Sequence, residues 1–181
     1  MENISSQNIN NFLISIHLYH MGDQELTGDK GTKTLTSSGC GTFAMSCIVS
    51  GLLGMEIDPI TYLNNLDEYF PYGNYYSYDN GSNPAVFDEG YLKEYYGLSV
   101  KWWQGATPSR ILDIVDEMNG QCAIIGYRPG HYIAYVPALD NKGYKFYVID
   151  SIQELTGGYT SDEEFRNSSG YYPYTYAIIY Y

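Results

Sequence analysis

The stretch Ser37-Ser38-Gly39-Cys40-Gly41-Thr42, with residues 43–54 behind it, sets the strongest limit on how this chain can fold. Phe43, Ala44, Cys47, Ile48, Gly51 and Leu52 recur at helical spacing. Met45, Val49 and Leu53 fill most of the other side and leave Ser46 and Ser50 as the main polar residues. A helix apolar nearly all round has to be buried. The run therefore predicts a central helix, with Cys40 as its first residue. A thiol in that position faces unpaired backbone N–H groups and the positive end of the macrodipole, which favour thiolate and lower its pKa. Position alone makes Cys40 a candidate nucleophile.

At 181 residues the chain is expected to form a single domain, residues 1–181, with helical elements over residues 1–120 and sheet over residues 121–181. A chain of this size buries roughly 70% of its unfolded surface, enough for a core without disulfides. Cys40, Cys47 and Cys122 are odd in number and lack C-x-x-C spacing, which argues against a disulfide framework or a zinc site. No cofactor is expected and no metal site. His17 and His20 could share a helical face, but no acidic or cysteine partner stands beside them at ligand spacing. The polar start of the chain lacks a basic n-region, and residues 12–16 are too short for a signal or a membrane span. The expectation is a soluble chain, cytoplasmic, released or phage-associated.

Nine basic residues against 21 acidic ones give a net charge of -12, which opposes nucleic acid and anionic membranes as partners. The 22 tyrosines gather around residues 69–78, 91–96 and 171–181. They suit ordinary half-exposed strands, and also clefts that hold extended polar ligands.

In chain order, residues 12–19 form a short apolar piece, and residues 21–36 read as a polar connector. Asp58-Pro59 opens a second helix with the stripe Ile60, Leu63, Leu66 and Phe70. Residues 71–84, rich in Gly, Asn, Tyr and Ser, form a loop long enough to line a cleft. Tyr75, Tyr76 and Tyr78 from this loop, with Gly39 and Gly130 beside the site, are the expected substrate contacts. Asn83-Pro84 opens a third helical piece ended by Gly97, residues 98–103 form a strand, and Thr107-Pro108 opens a fourth helix that runs to Gly120. Residues 121–127, 130–137, 143–150 and 174–181 read as strands. Helices first and an antiparallel sheet after them make an α+β fold.

Cys40 needs a base. His131 opens one strand and Asp150 ends the next, with the turn centred on Asn141-Lys142 beside Gly143. A symmetric turn sets Leu139 opposite Tyr144 and Ile133 opposite Asp150. His131 then lies diagonal to Asp150 on one face, about 7–8 Å away between backbones, a gap that side chains close. A slip of one residue would part them. In these roles the thiolate attacks a carbonyl, the imidazole takes and returns the proton, and the carboxylate orients the imidazole. Cys47 and Cys122 read as small core residues.

Ser38-Gly39-Cys40-Gly41, then Ala44-Met45, with Gly130-His131-Tyr132-Ile133 and Tyr147-Val148-Ile149-Asp150-Ser151 far downstream, resembles the papain-like cysteine peptidases of the bacteriocin-leader-processing (double-glycine) type. Within these, the likeness is to the bacterial and phage group called peptidase C-thirty-nine-like, over residues 19–151. The resemblance implies a papain-like fold whose cysteine helix packs on an antiparallel sheet, with Cys40 as nucleophile, His131 as base and Asp150 as orienting acid. Two positions depart from the pattern. Thr42 stands where members often have proline, which leaves the helix start intact. In Tyr19-His20-Met21-Gly22-Asp23, Met21 stands where members carry the glutamine that donates to the oxyanion. Gln24 is then the expected replacement, with the backbone N–H of Cys40 as the second donor. The implied substrate is a peptide or protein, in cell-wall cleavage or in peptide processing. The acidity weighs against anionic cell-wall polymers and favours a basic peptide. Acyl transfer to an amine uses the same chemistry. The reading from another class is a peptide- or protein-binding module whose cleft has outlived its catalysis.

Overall fold

The computed structural model describes residues 29–30, 33–34, 39–70, 84–104, 122–128, 131–137, 142–150, 157–161, 163–164, 167 and 175–180. The expected fourth helix, the loop over residues 71–83, and Met21, Gln24, His17, His20 and Gly130 lie outside them.

Helix α1 (Cys40–Leu53) begins at the cysteine, with Gly39 as N-cap and Gly54 as C-cap at φ +64°. Only glycine takes that left-handed backbone readily, so Gly54 ends the helix and lets Met55 N–H reach back to the Ser50 carbonyl at 3.2 Å. Every α1 residue but Leu53 is buried. Met45, Ile48 and Leu52 each contribute about 1.5–3 kcal/mol through that burial. The polar residues of α1 are paired inside the core. Ser46 Oγ donates to the Phe43 carbonyl, and Ser50 Oγ both donates to the Ile57 carbonyl and accepts from the Ile57 N–H, tying down the approach to the next helix.

Helix α2 (Pro59–Tyr69) starts as its Asp-Pro signature predicts: Asp58 accepts from the N–H groups of Ile60 and Thr61, and Pro59 fills the first turn. Leu63 and Leu66 of the expected stripe are buried, and so is Tyr62, which the apolar pattern passed over because its ring carries a hydroxyl. The third helical piece is not continuous. A 3₁₀ turn (Pro84–Phe87) is followed by an extended Asp88, whose carboxylate caps α3 (Glu89–Tyr96) by accepting from Tyr91 N–H at 2.8 Å. An aspartate able to bond the backbone ahead of it restarts the helix there. Gly97, at φ +69°, stops it.

Tyrosine hydroxyls knit this layer together. Tyr62 Oη donates to the Val86 carbonyl, and Tyr91 Oη donates to the Tyr62 carbonyl at 2.8 Å. Tyr96 Oη shares a 2.9 Å hydrogen bond with Tyr91 Oη and accepts from Asn65 at 2.9 Å. The Tyr62 and Tyr96 rings stack, and Tyr91 meets both edge-on. Tyr62, Tyr91 and Tyr96 are core residues with satisfied polar ends.

Among the described residues, six strands form one antiparallel sheet: β3 (Ser99–Gln104), β4 (Cys122–Arg128), β5 (His131–Pro137), β6 (Phe146–Ile149), β7 (Gly157–Tyr159) and β8 (Thr175–Tyr180), in the order β3-β8-β4-β5-β6-β7. β8 inserts between β3 and β4, so a strand from the helical half of the chain enters the sheet only through the last strand. Three strands fall where no strand was expected. β1 (Asp29–Lys30) and β2 (Lys33–Thr34) pair as a small ladder within the supposed connector, and β7 is the glycine-rich edge beside β6. All three are too short to show a period of two.

Helix α1 lies on one face of the sheet, where Val100, Ala134, Ile149 and Ile179 join its core. On the opposite face Ile133, Tyr135, Phe146 and Val148 are buried as well. The alternation expected of β5 and β6 therefore does not divide buried from exposed; the middle of this sheet is covered on both sides.

Candidate active site

Cys40 and His131 stand at the starts of α1 and β5, and Asp150 directly follows β6. All three are buried, at 4%, 7% and 1% exposure. The β5–β6 ladder pairs Ala134 with Ile149, Tyr135 with Val148, Val136 with Tyr147 and Pro137 with Phe146, which is the register expected from a symmetric turn. Extended by one step, it sets Ile133 opposite Asp150, with His131 diagonal on the same side. Gly143, at φ +85°, supports the turn.

His131 Nε2 lies 2.7 Å from Asp150 Oδ1, and His131 also hydrogen-bonds Cys40. With Nε2 turned to the carboxylate, Nδ1 is the ring atom left to face the sulfur. Burial alone pulls the imidazole toward its neutral form. The hydrogen bonds to Asp150 and Cys40, and the negative charges those groups carry, outweigh it and raise His131 from 6.5 to about 9. The attraction is mutual: an imidazolium beside the sulfur favours thiolate as much as thiolate favours imidazolium.

The N-terminus of α1 adds to this. Gly39 has no side chain with which to cap, and no acidic residue occupies the first turn. Neither a carboxylate nor a hydroxyl of the cap competes with an incoming oxyanion for the backbone donors that every helix start presents. Cys47, in the same helix, shows the contrast. Desolvation pushes its thiol up to about 12, so it stays protonated at neutral pH. Neither of these cysteines is in a disulfide. Cys122 opens β4.

Gly41 has a steric reason to be glycine that its spacing alone does not reveal. A Cβ there would stand 3.1 Å from Phe87 Cζ and 3.4 Å from Val86 Cγ2, so the 3₁₀ turn presses against the residue next to Cys40. The Phe87 ring also packs at 4.7 Å from Tyr132, the residue next to His131, and edge-on at 5.7 Å from the half-exposed Trp102. The sequence singled out neither Phe87 nor Tyr132 for the site. A glycine after the cysteine signals close approach but not what approaches.

Among the described residues no group of three or more His, Cys, Asp or Glu side chains could hold a metal ion, and no helix is long and apolar enough to cross a membrane. No protein-family pattern and no curated protein sequence matches the chain. Among solved structures it is similar to UfSP from C. elegans, at 12% identity and a TM-score of 0.44, over 90% of this chain and 32% of that one. At that distance the likeness assigns no activity. What stands without it is an α+β molecule in which a thiol at a helix start, an imidazole and a carboxylate meet in one buried cluster.

Proposed function

We propose that this chain is a cysteine peptidase or related amide hydrolase of papain-like architecture, working through Cys40, His131 and Asp150. One observation carries the reading: a histidine with one ring nitrogen 2.7 Å from a buried carboxylate also bonds a thiol placed at a helix N-terminus. The Cys40 thiolate attacks the substrate carbonyl carbon, forming a C–S bond and moving the carbonyl electron pair onto oxygen. The backbone N–H of Cys40, with Gln24 as the side-chain donor, holds that oxyanion. As the C–N bond breaks, His131 gives its proton to the leaving amine and a thioester remains. Neutral His131 then takes a proton from water, the hydroxide adds to the thioester carbonyl, and collapse releases the acid and the thiolate while His131 is again protonated. Asp150 holds the ring in the orientation both steps need. The chemistry requires no cofactor.

A peptide or protein is the substrate class. The charge of -12 favours a basic one and disfavours anionic cell-wall polymers. Tyr75, Tyr76 and Tyr78 are the proposed contacts, with Gly39 and Gly130 as backbone positions beside the reacting groups.

The test is to alkylate the protein with iodoacetamide at pH 7 and map the label, then assay hydrolysis of a basic peptide library. Rapid labelling of Cys40 over Cys47, lost in His131→Ala, and peptide cleavage lost in Cys40→Ala are expected. Equal, slow labelling of all cysteines would sink the reading. Met21, standing where a glutamine would donate to the oxyanion, favours a second one, a peptide-binding module. Peptide binding that persists in Cys40→Ala, with no cleavage by the wild type, would select it.

A further inference from the structure

Nothing covalent sets the gap between Cys40 and His131: one starts a helix, the other starts a strand much later in the chain, and the two meet only through packing. Proton transfer between them depends on that gap, since a misplacement of about 1 Å costs about 10²-fold in rate. Among the described residues, Phe87 lies against the immediate chain neighbours of both. The buried Phe87 ring comes within close van der Waals reach of Gly41, next to the sulfur, and packs on Tyr132, next to the imidazole. Its own place is fixed from behind. The Tyr62 hydroxyl holds the Val86 carbonyl, Tyr91 holds the Tyr62 carbonyl, and Trp102 closes the outer edge of the ring.

We propose that Phe87 is a positioning residue, a spacer whose ring sets the separation between the Cys40 sulfur and the His131 imidazole. The proposal rests on the reading of those two residues as nucleophile and base. Gly41 is the counterpart of the ring: a Cβ there would stand 3.1 Å from Phe87 Cζ, so the ring would have to give by a few tenths of an ångström. Tyr132 is the bearing surface on the strand side.

The His131 titration, followed by NMR through its ring carbons or nitrogens in the intact chain, reads the gap directly, because a thiolate within about 4–6 Å raises an imidazole and a distant one does not. Phe87→Ala is expected to lower the His131 midpoint by about 1 pH unit or more, matching Cys40→Ala. Combined with Cys40→Ala, Phe87→Ala is expected to add nothing, since the sulfur it positions is gone. Phe87→Leu, which keeps part of the width, is expected to restore part of the midpoint. Additive shifts in the double variant, or a midpoint unmoved in Phe87→Ala, would overturn the proposal. If circular dichroism shows Phe87→Ala unfolded, Phe87→Leu and Tyr132→Ala carry the same cycle with Cys40→Ala, and the same two outcomes decide it. A protein that cleaves no peptide yet shows the non-additive cycle would retire the peptidase reading and keep the spacer; one that cleaves peptides with additive shifts would do the reverse.

Discussion

His131 sits under two opposed effects of one environment: burial disfavours its charge, while a carboxylate and a thiol on either side favour it more. Because its folded pKa is raised, from 6.5 to about 9, imidazolium persists through neutral pH. The stability it adds is fully present below pH 6.5 and is lost as pH rises through about 9. The same titration ends the thiolate–imidazolium pair, so kcat/KM is expected to fall on the alkaline side near pH 9. Asp150→Asn keeps the shape but removes the charge and the orientation. It is expected to cut kcat by about 10²-fold or more and to move the alkaline limb toward lower pH, as measured in a pH–rate profile. An unmoved limb would show that Asp150 does not act on the ring. Cys40, His131 and Asp150 were legible one by one as residue types next to glycine, at a strand start and at a strand end. Phe87 was not, since nothing local marks a phenylalanine as near a site formed by distant segments.

Among the elements, β7 depends on a glycine for a reason that is steric rather than conformational. A Cβ on Gly158 would lie 2.6 Å from Tyr144 Cγ, so the tyrosine ring covers the bare backbone of that strand while meeting Tyr147 edge-on. Gly158→Ala is expected to displace the ring and unpair β7 from β6, lowering Tm and the hydrogen-exchange protection of Val148 and Phe146 while leaving α1 protected. Unchanged exchange in β6 would refute it. Helix ends were the most readable elements, because Asp58-Pro59 and Gly97 carry their own capping chemistry. The break at Asp88 was missed because its neighbours continue the apolar spacing on both sides, and only the carboxylate's bond to Tyr91 N–H shows where α3 restarts.

At the scale of the molecule, the sheet is closed by its last strand. β8 pairs with β3 on one side and with β4 on the other, and Ile179, fully buried, joins the core beneath α1. Ile179→Ala is expected to cost about 2–5 kcal/mol in global stability by chemical denaturation. A loss confined to fraying of β8 would mean that the strand is peripheral. The sequence by itself determined what is local: a helix apolar all round, a cysteine at its glycine-flanked start, and the β5–β6 register that brings Asp150 to His131, because capping, periodicity and turn symmetry act over a few residues. Only the tertiary structure decided where β8 inserts, that β5 and β6 are covered on both faces, and that Phe87 stands between Gly41 and Tyr132. Those depend on contacts between segments far apart in the chain, where the entropy of closing loops and the fit of side chains, rather than any local preference, select the partner.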